Sequence, residues 1–167
     1  MRIIRIHILG GAGCGKSFIA EKLKEQLGIP HYDLDDIFWD HSSGDYGVKA
    51  SKLQRDSQLQ QIIEQHSWII EGVYFGWLAP SFSRADKIFI LKTPLSIQED
   101  RIWSRYEKRK SGVIQSTKKE TLQSVKELIK WNRNYNETSL PNFINDSVYN
   151  DKFIQIYDNE EIFNYIS

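Results

Sequence analysis

Apolar residues recur along this chain in two rhythms, short dense runs and looser stripes spaced three or four apart, and the two alternate almost from end to end. The first run, Arg2 to Leu9, places Ile3, Ile4, Ile6, Ile8 and Leu9 in a β-strand, and Ser17 to Leu27 follows as a helix closed by Gly28 and Pro30. His31 to Leu34 predicts a second strand. Lys52 to Gln65 predicts a helix with Leu53, Leu59, Ile62 and Ile63 on its apolar face, and Trp68-Ile69-Ile70 a third strand running into Glu71-Gly72. Lys87 to Leu91 is the fourth strand. Thr93-Pro94 then reads as an N-cap with proline at the first helical position, opening a helix from Leu95 to about Lys110. A second helix is expected from Glu120 to Tyr135, with Leu122, Val125, Leu128 and Ile129 on one face. Phe153 to Tyr157 gives a fifth strand, and Glu160 to Ile166 a terminal helix. The polar or glycine-bearing stretches 40–50, 111–118 and 141–151 predict loops. Strands alternating with helices in this way predict a parallel α/β sheet.

The turn between the first strand and the first helix carries the chemistry. Gly10-Gly11-Ala12-Gly13-Cys14-Gly15-Lys16-Ser17 satisfies every fixed position of the phosphate-binding loop G-x-x-x-x-G-K-[ST], in the strand–loop–helix context that the motif requires. Its glycines allow successive backbone N–H groups to turn inward around a phosphate, and the helix that starts at its end offers unpaired N–H groups and a positive dipole end. Lys16 is expected at the β- and γ-phosphates and Ser17 on Mg²⁺, with Phe18 completing the nucleotide-binding stretch. Cys14 is the chain's single cysteine. It reads either as a passive loop residue or as a sensor thiol at a helix N-terminus.

Composition narrows the class. With 167 residues, 40% of them hydrophobic, one domain over 1–167 is expected, and neither a repeat nor a linker interrupts it. No run of about 18 apolar residues suggests a membrane span and Met1-Arg2 leads straight into a strand, so a soluble cytoplasmic protein is expected. Net charge is zero but unevenly spread. Between Arg101 and Arg133 ten Lys or Arg face three Glu. That run reads as a solvated helical face, as a groove for nucleic acid, or as a lid closing over a triphosphate at about 101–133. The zero net charge and the lack of a helix-turn-helix or basic tail argue against a polynucleotide partner.

Asp33-Leu34-Asp35-Asp36 at the end of the second strand, the segment Trp68-Ile-Ile-Glu-Gly72, and a basic helix pair after Ala85-Asp86-Lys87-Ile-Phe-Ile-Leu91 extend the pattern over nearly the whole chain. With the phosphate loop, this set resembles the small P-loop kinases of the adenylate and shikimate kinase kind. It is most similar to their bacterial relatives labelled DNA topology modulation proteins, which show segments like Leu34-Asp35-x-x-Phe38-Trp39 and Trp68-Ile-Ile-x-Gly72-x-Tyr74. The resemblance implies a three-layer P-loop fold with a five-stranded parallel sheet in order 2-3-1-4-5 and a helical lid.

It also implies ATP- and Mg²⁺-dependent phosphoryl transfer to a small acceptor, with a nucleotide or nucleoside ahead of a sugar or other hydroxyl compound. A nucleotide-regulated DNA-binding protein is the alternative. Phosphoryl transfer needs a cradle, a metal, a group that handles the acceptor hydroxyl and cations for the equatorial oxygens. Asp35 is the expected base or metal partner. Asp33 and Glu71 are expected near the magnesium, although the resembling proteins more often carry Asp at the place of Glu71. Arg101, Arg105 and Arg109 fall at i, i+4 and i+8 on one helix face, where Arg101 and Arg105 lead as phosphate clamps and Arg109 and Arg133 follow. Phe38, Trp39, Tyr74, Phe75 and Trp77 are expected either to wall an acceptor pocket or to fill core. Arg55 and Arg84 are the only arginines placed to meet an acceptor phosphate. His7, His31, His41 and His66 lack metal-ligand spacing and read as structural or surface residues.

Overall fold

A computed structural model describes residues 2–42, 47–114 and 120–166. The strands are β1 (Arg5–Leu9), β2 (His31–Asp33), β3 (Trp68–Gly72), β4 (Lys87–Leu91) and β5 (Phe153–Ile156), and they form one parallel sheet in the order β2-β3-β1-β4-β5. Each of the three inner strands is an apolar run because helices cover both faces. Alternation sorts their side chains. Ile6, Ile8, Ile69, Phe89 and Leu91 pack with Ile19 and Leu23 of α1 (Lys16–Leu27) on one side. Trp68, Ile70 and Ile88 pack on the other with Leu59 and Ile63 of α3 (Lys52–Ile63), Phe82 of α4 (Ala79–Arg84), and Leu34 beside the short α2 (Asp35–Phe38).

The basic helix pair is α5 (Leu95–Lys110) and α6 (Leu122–Asn134), joined along Ile102, Tyr106, Val125 and Ile129. Thr121 and Ser124 close a reciprocal cap at the start of α6, each side chain taking the other's backbone N–H, at 3.0 and 2.9 Å. The predicted loops at 40–50 and 111–118 lie partly outside the described residues, as do residues 115–119 of the expected lid.

Several expectations are corrected. Residues 141–151 are not simply loop: a π-helical turn at Tyr135–Ser139 leads into α7 (Leu140–Asp146), with Pro141 in its first turn and Leu140 buried. The same device opens α4 at Pro80, which the strand-and-stripe pattern does not reveal. Thr93 is not an N-cap, since α5 starts after Pro94 and the Thr93 hydroxyl donates instead to the Cys14 carbonyl, at 3.2 Å. Leu53 is 83% exposed and Leu122 half exposed, so both leave their predicted apolar faces. The C-terminal helix is 3₁₀, Asn159–Tyr165. Among the described residues no helix is long and apolar enough to cross a membrane.

Candidate active site

All five strands point their carboxyl ends the same way, which gathers the turns after β1, β2, β3, β4 and β5 at one edge of the sheet, where ligands bind in open α/β folds. The phosphate loop is the turn after β1. Gly13 and Gly15 adopt φ of 78° and 83°, left-handed values that an L side chain would strain, and they let the loop curl over the start of α1. Lys16 folds its ammonium back onto the Gly11 carbonyl, at 2.7 Å. Cys14 is wholly buried against the Leu91 carbonyl, and burial raises its thiol pKa, so the passive reading of this residue holds over the sensor thiol.

Ser17 donates its hydroxyl to the Glu71 carboxylate at 2.8 Å, from the first turn of α1 to the end of β3. Glu71 is 1% exposed, and the same oxygen lies 3.3 Å from Nε2 of His31, whose Nδ1 is 2.7 Å from Glu21. Burial opposes a charge on His31, yet its hydrogen bonds to Glu71 and then Glu21 leave its pKa raised. Asp33 stands beside Glu71 in the β2–β3 register. Burial first, and the Glu71 charge second, push its carboxyl up to about 7. Its Oδ1 accepts the Asp35 backbone N–H at 2.9 Å, and Asp35 in turn accepts from the Tyr74 hydroxyl. Hydroxyl and carboxylate oxygens are the donors that Mg²⁺ takes, and Ser17, Glu71 and Asp33 supply them within one cleft. Among the described residues, no three His, Cys, Asp or Glu side chains form a ready-made metal cage. A metal here would need ligand and water oxygens as well, as phosphate-bound Mg²⁺ does.

Two clefts open from the loop. One, of about 750 Å³, is lined by Gly15, Phe18, Ile97, Arg101, Tyr157 and Asn159 among others. Phe18 is 65% exposed in its wall, and Arg101 reaches across to the Gly13 carbonyl at 3.0 Å. The other, of about 730 Å³, holds Asp33, Asp35, Glu71, Lys49, Arg109 and a set of aromatic rings. Gly13, Lys16, Ser17 and Arg105 line both. Desolvation, and then the charges of Arg109 and Arg101, lower the Arg105 pKa; a guanidinium remains a cation there, crowded among like charges.

The expected site residues divide. Ser17, Lys16, Asp33, Asp35, Glu71, Arg101 and Arg105 come together around the two clefts. Arg109 is held in an ion pair with Glu120 at the start of the second basic segment. Arg133 leaves the site: it binds Glu99 through Nε and Nη2, at 2.5 and 3.1 Å, and lines neither cleft. Of the aromatic residues, Phe38, Trp39 and Tyr74 line the second cleft, with Phe38 stacked on Tyr74 at 4.4 Å. Phe75 is core, stacked on Phe143, and Trp77 lies under the Arg55 guanidinium. Arg55 and Arg84 line neither cleft: the first covers Trp77 and the second donates to the Ile63 carbonyl at 3.0 Å.

Sequence reasoning missed Trp131, which is 44% exposed in the wall of the second cleft, and His31, whose role shows only once β2 is paired with β3. It also missed Asn159, which donates to the Cys14 carbonyl at 2.8 Å from the start of the 3₁₀ helix that follows β5. A lone polar residue after a strand carries no periodic signal.

No protein-family model matches the chain. An uncharacterized protein YqaC of Bacillus subtilis (strain 168) is 28% identical over 105 residues, covering 60% of this chain and 55% of that protein. A cytidylate kinase of Natronomonas pharaonis is 32% identical over 116 residues, covering 62% and 59%. The matches thus span less than two thirds of either curated relative. Among solved structures, a gluconokinase from Sinorhizobium meliloti 1021 superposes with a TM-score of 0.57 at 16% identity, covering 97% of this chain and 88% of its own. A shikimate kinase from Bacteroides thetaiotaomicron gives 0.57 at 14%, covering 93% and 87%. The five-stranded order, the helices on both faces and these superpositions together give the chain the fold of the small P-loop kinases.

Proposed function

We propose that the protein is a cytoplasmic, ATP- and Mg²⁺-dependent kinase that moves the γ-phosphoryl group to a hydroxyl of a small acceptor, a nucleoside or nucleotide in preference to a sugar. The observation that carries this reading is the shared lining of the two clefts. A nucleotide-binding module needs one site beside a phosphate loop, whereas phosphoryl transfer needs two that meet where the phosphoryl group travels, and Gly13, Lys16, Ser17 and Arg105 stand at that meeting. The kinases it resembles in fold, and the cytidylate kinase it matches in sequence, support the same class.

In this reading the first cleft takes ATP, its base among Phe18, Ile97 and Tyr157 and its phosphates on the loop. Ser17, with Glu71 and Asp33 behind it, holds the Mg²⁺, which when bound offsets phosphate charge. Lys16, Arg101 and Arg105 face the charge that spreads over the transferring group, where fixed cations in a dry site count for most. The acceptor lies against Phe38, Trp39, Tyr74 and Trp131. Asp35 takes the proton from its hydroxyl as the oxygen–phosphorus bond forms and the bond to ADP breaks, so that the products are the phosphorylated acceptor, ADP and a proton.

The test is ADP release across a panel of nucleosides, nucleoside monophosphates, sugars and hydroxy acids, with Lys16→Ala as the blank. An acceptor-dependent rate that vanishes in the blank is expected. ATP binding without acceptor-dependent release from any member, together with tight binding of duplex DNA at physiological salt, would replace this reading with the DNA-binding one.

A further inference from the structure

Three side-chain amides, Gln98 of α5, Asn132 of α6 and Asn136 in the π-helical turn, meet under the first half of the phosphate loop, and nothing in the reading above uses them. Asn132 is wholly buried and Gln98 is 1% exposed. Their orientations follow from one fixed point. The Thr93 carbonyl can only accept, so the group that Gln98 sets 2.7 Å from it is its NH₂. Its Oε1 must then receive donors, and Asn132 Nδ2 at 2.9 Å and Asn136 Nδ2 at 3.0 Å supply them. Asn132 consequently turns its Oδ1 to the loop, where it accepts the Ala12 N–H at 2.8 Å.

The Ala12 N–H belongs to the same peptide unit as the Gly11 carbonyl, which holds the Lys16 ammonium at 2.7 Å. A peptide unit is planar and trans, so its N–H and C=O point in opposite directions. Fixing the N–H on Asn132 therefore aims the carbonyl at Lys16. The three amides pack directly against Gly11: a Cβ there would lie 2.6 Å from Asn132 Oδ1, 2.6 Å from Asn136 Nδ2 and 2.7 Å from Gln98 Oε1.

We infer that Asn132 is a positioning residue that sets the resting place of the Lys16 ammonium through the Gly11–Ala12 peptide, with Gln98 and Asn136 fixing its orientation. The inference rests on the proposed function in that Lys16 is taken to act on the transferring phosphoryl group. Asn132 touches neither nucleotide nor acceptor in this scheme. It removes the need to find the lysine's starting geometry in each cycle, and a displacement of about 1 Å at a reacting group costs on the order of a hundredfold in rate.

The experiment compares Asn132→Ala with wild type and with Leu59→Ala, a core truncation on the far side of the sheet that lowers the melting temperature without touching the loop. At a temperature where all three are folded, Asn132→Ala should lower kcat by about 10- to 100-fold and change KM for ATP by less than about threefold, because the N–H groups from Gly13 to Ser17 remain. Leu59→Ala should lose stability and keep kcat. In ligand-free protein, the Lys16 side-chain NMR resonances should shift in Asn132→Ala, and the Ala12 amide proton should exchange at least about tenfold faster relative to that of Ile8 in β1.

Wild-type kcat in folded Asn132→Ala overturns the inference, as does a loss of ATP binding equal to the loss of rate. If wild type transfers no phosphoryl group to any acceptor, the proposed function fails instead. The magnetic resonance measurement then still decides, since unshifted Lys16 signals in Asn132→Ala overturn the positioning role by themselves.

Discussion

His7 sits in the middle of β1 with no solvent exposure, its ring 4.5 Å from Phe82 and edge-on to Trp68. The Ser81 hydroxyl, 3.1 Å from Nε2, donates its own proton to the Leu78 carbonyl at 3.0 Å, so it can only accept from the ring. Nε2 therefore carries the hydrogen, and Nδ1 is left buried with no partner among the described residues. Protonating Nδ1 would place a charge and an unpaired donor in the core, and burial accordingly lowers the His7 pKa to about 3. The neutral ring is the native form. Since the unfolded chain binds this proton near pH 6.5 and the native one only near 3, acid favours the unfolded state throughout that window. Each pH unit is worth about 1.4 kcal/mol, so the passage from pH 7 to pH 5 removes about 2 kcal/mol through this residue alone. His7→Leu keeps a similar volume, leaves Ser81 its bond to Leu78 and cannot titrate. Urea unfolding of both proteins at pH 7 and pH 5, followed by tryptophan fluorescence, should show the variant gaining about 2 kcal/mol on wild type as the pH falls. Carboxylates that titrate in both proteins cancel in this difference. A gap between the two proteins that is the same at both pH values would refute the buried neutral ring.

Other outcomes concern the site. Lys16→Ala should leave the fold intact and lower ATP turnover by at least about a hundredfold, measured as ADP release against the melting curve. Asp35→Asn should keep ATP affinity and lower kcat by about a hundredfold or more; a weak effect, with a strong one from Asp33→Asn, would move the proton-accepting role to Asp33. Gly13→Ala should abolish nucleotide binding by calorimetry, because φ of 78° strains a side chain and the new Cβ would stand 2.5 Å from the Gln98 carbonyl oxygen. Arg105→Ala should weaken ATP turnover and leave no salt-dependent DNA affinity to lose; a gel shift that this substitution abolishes while turnover is spared would reverse the assignment.

The fold was legible wherever a residue's environment repeats along the chain. Runs such as Ile69-Ile70 and Phe89-Ile90 are buried on both faces, and their composition says so. The phosphate loop was legible because its backbone conformation demands glycine at fixed places. What escaped depends on distant partners. Arg133 and Arg101 look alike in a basic helix pair, and only the arrival of Glu99 beside one, and of the Gly13 carbonyl beside the other, separates them. Arg55 and Arg84 were candidates for an acceptor phosphate until Trp77 and the Ile63 carbonyl were seen to claim them. Asp33 and Asp35 stand two positions apart in sequence, yet the first is backed against Glu71 and the second meets the Tyr74 hydroxyl. The three amides beneath Gly11 carried no signal as a set, since Asn132 and Asn136 lie 34 and 38 residues from Gln98 along the chain.

The crowding at Gly11 also has a consequence for how the sequence can change. Three amide atoms, from α5, α6 and the π-helical turn, occupy the volume that a methyl group would need. No one of the four residues can drift alone, because enlarging Gly11 meets all three neighbours and shortening a neighbour orphans polar atoms in the interior. The packing thus couples Gly11, Gln98, Asn132 and Asn136 to one another. In a library randomised at these four positions and selected for function, tolerated replacements of Gly11 should arise only alongside smaller residues at 132 and 136, and such triple replacements should exceed the product of their single effects.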